Sequence, residues 1–171
     1  MDNDGWLDLF LAASTTKARI LEPGAMQDMH HPRPNYLFLN NGDGTFADIR
    51  PTAWEDEDAA RASMGAAYAD YDNDGWVDFV VGDWDEGYKL YRNEGLIGAE
   101  NHWLTIRLEG AAPINRDAIG ARVYVQTDDG RTQMQEVKSG SSLGAGSDTA
   151  LHFGLGQAKV KQVRVRWPDG F

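Results

Sequence analysis

The stretch that decides the fold of this chain reads Asp70-Tyr71-Asp72-Asn73-Asp74-Gly75-Trp76-Val77-Asp78. A second copy, Asp2-Asn3-Asp4-Gly5-Trp6-Leu7-Asp8, begins at the second residue of the chain and lacks the opening position. The spacing D-x-D-x-D-G-x-x-D brings carboxylates from alternate positions together, and a glycine at the sixth position allows a sharp turn. Calcium takes about six to eight oxygen ligands, and such a loop supplies most of them locally. The stretch therefore predicts a calcium loop.

The residues that follow the loop exclude an EF-hand. An EF-hand ends in a glutamate at position twelve and lies between helices, whereas position twelve here is Val81 in the complete copy and Leu11 in the partial one. The aspartate at position nine instead leads directly into a short apolar run, Val77–Val81 or Leu7–Leu11. Short runs rich in Val, Leu and Phe favour strands. The sequence predicts a calcium loop that opens onto a β-strand.

Length and charge set the next limits. At 171 residues with 42% hydrophobic content, the chain is long enough for one or two folded domains and too apolar for disorder. Residues 1–95 carry 19 acidic and 7 basic side chains, a net charge of −12, whereas residues 96–171 carry 8 and 9, a net charge of +1. This asymmetry indicates a boundary near Gly95–Asn101 and argues against nucleic acid as a partner.

Missing residue types exclude further classes of site. The chain has no cysteine, which rules out disulfides, zinc–thiolate sites and cysteine nucleophiles. No stretch approaches the roughly 20 apolar residues that cross a membrane, so no membrane span is expected. The first motif is incomplete and the last residues, Trp167–Phe171, begin a turn. We interpret the chain as a fragment of a longer protein whose leader is not present.

An internal repeat follows from the two loops. Each is succeeded by an apolar strand, a spacer and a second apolar strand that ends in Asn-x-Gly, within Leu37–Phe46 and Leu90–Gly95. Asn41–Gly44 reads as a hairpin turn, and Met64–Ala69 as a strand of small residues that enters the second loop. One period of about four short strands is typical of a propeller blade, which must pack on its neighbours.

The pattern changes from Asn101 onward. Leu104, Ile106 and Leu108 alternate with polar residues, and Val163, Val165 and Trp167 alternate with Arg164 and Arg166. Residues 119–125 and 131–138 give two more strands around the turn Asp128-Asp129-Gly130. Period-two alternation with arginines on the outer face predicts a half-buried antiparallel sheet, and a small β-sandwich is its simplest container.

These motifs together resemble a known combination of families. The two aspartate loops and the turn Asn41–Phe46 resemble FG-GAP/VCBS repeats, the calcium-binding blades of integrin-α-like propellers. The downstream motifs resemble the ASPIC/UnbV domain, which follows such propellers in proteins of the cartilage acidic protein type. The four motifs that carry this second resemblance are Asn101–Leu104, Asn115–Val123, Leu151–Gly156 and Val165–Gly170.

The resemblance implies a domain order and a set of metal ligands. It places partial FG-GAP/VCBS propeller blades, about one and a half, at residues 1–97 and an ASPIC/UnbV-like domain at residues 98–171. Ring closure then needs more blades than this chain contains. The implied cofactor is Ca²⁺. Its ligands in the complete loop are the carboxylates of Asp70, Asp72, Asp74 and Asp78 and the carbonyl of Trp76. The partial loop offers Asp2, Asp4, Trp6 and Asp8, and because its opening aspartate is missing we expect weaker binding there.

Catalytic readings fit the sequence less well. Gly140–Gly144 matches G-x-S-x-G around Ser142, and Asp148 and His152 follow in hydrolase order, but no helical pattern follows the serine. Carboxylates gathered around a cation stay ionised, unlike the raised-pKa acid of a glycosidase. His30-His31 and the acidic run Glu55–Asp58 are better explained as solvated loops.

The tryptophans are better explained by packing than by sugar stacking, since Trp6, Trp76 and Trp84 occupy equivalent or nearby positions in the repeat.

The function expected from the sequence is a non-enzymatic, calcium-binding adhesion or recognition module. It would be secreted, or placed at the cell surface or in the periplasm, and would bind a protein or glycan ligand. The alternative is a non-catalytic segment of a larger secreted enzyme, such as a carbohydrate-active one.

Overall fold

The computed structural model describes residues 1–15, 31–32, 34–49, 62–84, 87–140 and 146–170. These residues contain β-strands and turns but no helix, so the predicted all-β class is confirmed. The strands are β1 Leu9–Leu11, β2 Ser14–Thr15, β3 His31–Pro32, β4 Tyr36–Asn40, β5 Phe46–Asp48, β6 Ser63–Ala69, β7 Asp78–Asp83, β8 Gly87–Tyr91, β9 His102–Ile106, β10 Arg122–Thr127, β11 Thr132–Glu136, β12 Leu151–Gly156 and β13 Val160–Arg166.

Two three-stranded antiparallel sheets carry the repeat. Strands β1-β4-β5 form one and β6-β7-β8 form the other, with β1 and β7 each following an aspartate loop. Each described sheet thus has one strand fewer than the four predicted per period. The second sheet has β6, the strand that precedes its aspartate loop, and the first sheet has β5, the strand that follows the hairpin turn. Neither described sheet has both of these strands. When the two copies of the repeat are aligned, their strands occupy four positions, which is the number predicted for one period.

Aromatic packing joins the two sheets. The rings of Phe10 in β1 and Phe79 in β7 lie 4.5 Å apart between centroids, and Phe79 also stacks on Tyr91 of β8 at 4.9 Å. Val81 in β7 and Leu37, which lies opposite Phe10 in the ladder of β1 and β4, are also buried. The apolar runs after the two loops therefore pack against each other, as blades of a propeller do.

The C-terminal residues form a small sandwich. The sheet β11-β10-β13 faces the sheet β12-β9, and side chains from both close over one core. Phe153, Val123 and Val125 are fully buried there, and Leu104, Ile106 and Leu108 pack against them. Val163 lies opposite Val125, on the core side as predicted, but at the edge of its sheet it remains 42% exposed.

The predicted border between residues 97 and 98 falls between β8 and β9. In the described part of the chain, no strand ladder crosses it. The division into two domains remains a prediction. No helix among the described residues is long and apolar enough to cross a membrane.

The core position of Phe153 yields a first prediction. Replacing Phe153, 0% exposed, by Ala should lower the free energy of unfolding by about 3–5 kcal/mol, since it leaves a cavity between the two sheets. Urea denaturation measures the change. Val163→Ala is the control and should cost much less because that side chain is half exposed. Equal losses for the two variants would contradict this placement of the core.

Candidate metal centre

The complete aspartate loop folds around the first of its carboxylates. Asp70 accepts hydrogen bonds from the backbone N–H of Asp74 and of Gly75, both at 3.0 Å. Asn73 and Gly75 have φ angles of 59° and 90°, which reverse the chain direction within a few residues. Asn and Gly are the residues that adopt such angles most readily.

Asp78 anchors the other end of the loop. Its side chain is 1% exposed. One carboxylate oxygen accepts the backbone N–H of Asn93 at 2.7 Å, and the other accepts that of Tyr71 at 3.1 Å. This carboxylate therefore joins the start of the loop, the start of β7 and the segment that follows β8.

Three of the predicted ligands converge. One oxygen from each of Asp70, Asp72 and Asp78 lies within 4.8 Å of the other two, the only such group among the described residues. Asp74 is not a member of this group; one of its oxygens accepts the Trp76 N–H at 2.9 Å and the other pairs with Arg92 at 3.2 Å. Trp76, predicted to offer its carbonyl, has a buried ring.

The electrostatics of this group favour a cation. Burial raises the pKa of Asp78, and the nearby charges of Asp72 and Asp74 raise it further, against the lowering effect of its two backbone hydrogen bonds. A bound cation would have the opposite effect on every member, because it stabilises the ionised form. Clustered carboxylate oxygens are the donors that Ca²⁺ prefers, so the residues fit that ion.

Arg92 is a neighbour of the loop that the sequence did not single out. Its Nε donates to Asp72 at 2.7 Å, and a terminal nitrogen donates to Asp74 at 3.2 Å. The guanidinium therefore balances part of the negative charge from the side of β8. The equivalent position in the first copy is Leu39, and the spacing of the aspartates does not predict an arginine there.

The partial loop repeats the same backbone turn. Asn3 and Gly5 have φ angles of 60° and 92°, and Trp6 N–H donates to Asp4 at 2.8 Å. Met1 stands in the place of Tyr71, and its amino group bonds the Asp8 carboxylate. Burial raises the pKa of Asp4, and the charges of Asp2 and Asp8 add to the effect.

The carboxylates of the partial loop, however, do not form a ligand cluster. In the described part of the chain, three converging carboxylates occur in the complete loop alone. The assignment of Asp2, Asp4, Trp6 and Asp8 to a weaker site stays a prediction.

The Asn-x-Gly motif is a clamp on each loop. Asn40 donates its backbone N–H to Asp8 at 3.0 Å and its side-chain amide to the Leu7 carbonyl at 3.1 Å. Asn93 makes the same bonds to Asp78 at 2.7 Å and to the Val77 carbonyl at 3.4 Å. The sequence marked the motif as a repeat signature, but its role needed the spatial pairing of each loop with a distant strand.

The glycine of each motif receives a tryptophan ring. A Cβ on Gly42 would lie 2.7 Å from the Trp6 ring, and one on Gly95 would lie 2.4 Å from the Trp76 ring. The tryptophan of each loop thus covers the turn that clamps that loop. This packing agrees with the structural role expected for Trp6 and Trp76.

Asn3 connects the two loops with the sandwich. Its side-chain amide donates to the Gly75 carbonyl at 3.0 Å, and its Oδ1 lies 2.8 Å from Nε2 of His152. Its own carbonyl accepts the Gly156 N–H at 2.7 Å. The sequence assigned no role to Asn3, and its only signal was its place in the partial aspartate loop.

Trp103, a residue of the sandwich, packs on the complete loop. A Cβ added to Gly75 would lie 2.0 Å from the Trp103 ring, and Trp103 also contacts Trp76 at a centroid distance of 6.3 Å. The sixth position of the loop is thus a glycine for two reasons, its backbone conformation and the ring above it.

The groups of the hydrolase alternative have other partners. Asp148 pairs with Arg107 through two hydrogen bonds of 3.2 and 3.1 Å. His152 contacts Asn3 and, through Nδ1 at 3.3 Å, the Thr105 hydroxyl. Burial lowers the pKa of His152. Ser142, His30 and the acidic run Glu55–Asp58 lie outside the described residues.

Comparisons with known proteins agree with this arrangement. Residues 1–81 match the FG-GAP-like repeat family, and residues 112–171 match the ASPIC and UnbV family. The chain is 45% identical to cartilage acidic protein 1 of Xenopus tropicalis over 174 aligned residues, which is 99% of this chain and 24% of that protein. Over 58 residues it is 47% identical to the human cartilage acidic protein 1, covering 9% of that protein. The chain spans about a quarter of the frog relative, and the predicted resemblance is confirmed.

The contact between Gly75 and Trp103 can be tested with a matched pair of glycines. Gly75 and Gly130 both have a φ of 90°, but a Cβ on Gly130 would meet no atom within 4 Å. Gly130→Ala should cost about 1–2 kcal/mol of unfolding free energy from backbone strain alone. Gly75→Ala should cost about 1–3 kcal/mol more, because the methyl group would overlap the ring.

Urea denaturation of the two variants measures the difference. Equal costs would show that Trp103 does not lie on the loop.

Proposed function

The chain belongs to the proteins that join FG-GAP-like repeats to an ASPIC and UnbV domain, and on this premise we propose that it is a calcium-binding, non-enzymatic recognition module. The observation that carries the proposal is the convergence of Asp70, Asp72 and Asp78 within 4.8 Å. Asp74 and the Trp76 carbonyl complete the proposed ligand set once Arg92 moves aside. Water would fill the remaining positions of the ion.

Calcium in this site would have a structural role. Its ligands come from both ends of the loop, and Asp78 is bonded to the segment after β8. The ion would therefore hold the loop, β7 and β8 in one arrangement, and Trp103 would transmit that arrangement to the sandwich. A ligand that binds only the folded state adds to stability by mass action, about 2.7 kcal/mol at 100 times its Kd.

The absence of catalysis is part of the proposal. The acid and the base of the hydrolase alternative have other partners, since Asp148 pairs with Arg107 and His152 contacts Asn3. Glycoside hydrolysis needs two carboxyl groups that face each other across a cleft. The three clustered aspartates instead belong to a single loop.

The proposed place of action is outside the cytoplasm. The relatives are named cartilage acidic protein 1, and that name fits a protein of the extracellular matrix. The proposed partner is a protein or glycan ligand of a larger propeller, of which this chain would supply about one and a half blades and the following domain. Secretion or attachment at a cell surface would expose the loops to millimolar calcium, a range in which extracellular modules bind.

Calorimetric titration of the chain with calcium tests the metal site. We expect binding that Asp72→Asn weakens at least about tenfold, a loss of only ~1.4 kcal/mol of binding free energy. The matched control is Asp117→Asn, which removes the same charge from an exposed side chain outside the loops. Absence of heat, or equal weakening by both variants, would overturn the assignment.

Arg92 provides a second test of the same site. Because its guanidinium pairs with Asp72 and Asp74, Arg92→Gln should strengthen calcium binding about two- to fivefold by releasing those carboxylates. The same variant should be less stable than the parent in a chelator, since the clustered charges lose their balancing cation. Arg116→Gln, at a side chain that is 86% exposed, is the control. Weaker calcium binding by Arg92→Gln would contradict this role.

A further inference from the structure

The two copies of the aspartate motif use the same asparagine differently. Asn73 in the complete loop and Asn3 in the partial loop occupy equivalent positions and have φ angles of 59° and 60°. The side chain of Asn73 is exposed and has no hydrogen-bond partner in the described part of the chain. Asn3 is only 8% exposed, and its side chain makes two contacts. A positive φ explains an asparagine at both positions, whereas the buried amide of Asn3 needs a separate explanation.

The Asn3 amide holds one particular peptide group of the complete loop. Its Nδ2 donates to the Gly75 carbonyl at 3.0 Å. The N–H of that same peptide group belongs to Trp76 and donates to Asp74 at 2.9 Å. The peptide group that joins Gly75 to Trp76 is thus bonded on both sides, by an amide of the partial loop and by a carboxylate of its own loop.

That peptide group lies between proposed calcium ligands. The preceding N–H, of Gly75, donates to Asp70 at 3.0 Å, and the Trp76 carbonyl follows along the chain. Because a peptide group is planar, fixing the Gly75 carbonyl also fixes the direction in which the Trp76 N–H meets Asp74. Residues that orient metal ligands without touching the ion typically change its affinity by about 10- to 100-fold when they are replaced. The bond from Asn3 is in such a position.

A histidine of the sandwich fixes the orientation of the Asn3 amide. Oδ1 of Asn3 lies 2.8 Å from Nε2 of His152, and Nδ1 of the same ring lies 3.3 Å from the Thr105 hydroxyl. Because Nδ2 of Asn3 donates to a carbonyl, Oδ1 accepts, and the imidazole donates from Nε2. An amide rotated by half a turn would point its own N–H groups at that donor. The ring therefore selects the orientation in which the amide reaches Gly75.

The backbone around Asn3 is also fastened to the sandwich. Three consecutive carbonyl groups of the partial loop accept hydrogen bonds from sandwich residues. The pairs are Asp2 with Asn101 at 2.7 Å, Asn3 with Gly156 at 2.7 Å and Asp4 with Arg131 at 2.8 Å. Because the backbone is held at three points, the Asn3 side chain limits movements of the complete loop instead of following them.

We propose that Asn3 is a positioning residue of the calcium site: held by His152, its amide fixes the peptide group between Gly75 and Trp76 and thereby sets the calcium affinity of the complete loop. The partial loop, whose carboxylates form no cluster among the described residues, then supports its complete copy. The inference rests on the calcium site proposed above. It makes the sandwich a contributor to calcium affinity, although the sandwich supplies none of the proposed ligands.

Replacement of Asn3 by glycine tests this role in the full chain, because glycine keeps the positive φ and removes only the amide. Asn3→Gly should weaken calcium binding by the complete loop about tenfold. Two-dimensional NMR follows this loop separately, through the amide signals of Gly75 and Trp76 during a calcium titration. The matched control is Asn101→Ala, which removes an amide bond to the partial loop but none to Gly75. Its Kd should stay within about twofold of the parent value.

Variants of His152 test how the amide is held. His152→Leu removes the donor and should weaken calcium binding about three- to tenfold. His152→Gln keeps an N–H at the reach of Nε2 and should restore most of that affinity. In the Asn3→Gly background, His152→Leu should change the Kd by less than about twofold, because its effect passes through Asn3. A loss that His152→Gln does not restore, or that adds to Asn3→Gly, would show that the imidazole does not act through Asn3.

Amide exchange in a chelator separates the contact from the metal. Without calcium, the Trp76 N–H should exchange with solvent faster in Asn3→Gly than in the parent or in Asn101→Ala, because its peptide group has lost a bond. Unchanged exchange, unchanged calcium affinity of Asn3→Gly, or equal weakening by Asn3→Gly and Asn101→Ala would each overturn the inference and leave the calcium site in place. Absence of calcium binding by the parent would instead overturn the proposed site, and the exchange of Trp76 then decides whether Asn3 holds the loop.

Discussion

The surrounding structure must supply hydrogen bonds to a buried carboxylate at the start of β7, that of Asp78. Asp78 is almost fully excluded from solvent, and charge in such a position is costly unless it is paired or hydrogen-bonded. Two backbone amides meet its oxygens, one from within the loop and one from Asn93. Because Asn93 lies 15 residues away, satisfying one charge fixes the distance between a loop and the end of a second strand. The burial of Asp78 thus determines how the repeat folds back on itself.

The loops and the sandwich are in direct contact, although the charge composition of the sequence changes between them. The charge asymmetry of the sequence divides the chain near residue 97, yet Asn3 bonds both Gly75 and the β12 residues His152 and Gly156. Gly154 follows the same logic, since a Cβ there would lie 2.7 Å from the Asn3 backbone. A close approach of two backbones leaves no room for a Cβ, which favours glycine. The two modules are held together by the backbone of an aspartate loop and by side chains of the sandwich that bond to it, Asn101 and Arg131 among them.

Periodic features were the ones that could be predicted from the sequence. The apolar runs after each loop, the hairpin at Asn41–Gly44 and the alternation of Leu104 and Ile106 with polar residues depend on local spacing, and all appear in the structure. The convergence of Asp70, Asp72 and Asp78 also follows from spacing within one loop. Arg92, Asn93 and Trp103 could not be assigned roles, because each acts on a loop that is distant in sequence. No periodicity encodes which strand end meets which loop.

The two copies of one motif have different surroundings, because backbone oxygens of the partial loop bond to the sandwich. In the partial loop the Asp2 carbonyl accepts from Asn101 at 2.7 Å, and the Asp4 carbonyl accepts from Arg131 at 2.8 Å. The guanidinium of Arg131 also lies over the Trp6 ring at 5.9 Å. The backbone of the partial loop is thus bonded to the sandwich, with the positive charge of Arg131 beside it. The same turn therefore bonds to the sandwich through its backbone at Asp2–Asp8 and presents its carboxylates together at Asp70–Asp78, where Gly75 and Trp76 contact the Trp103 ring.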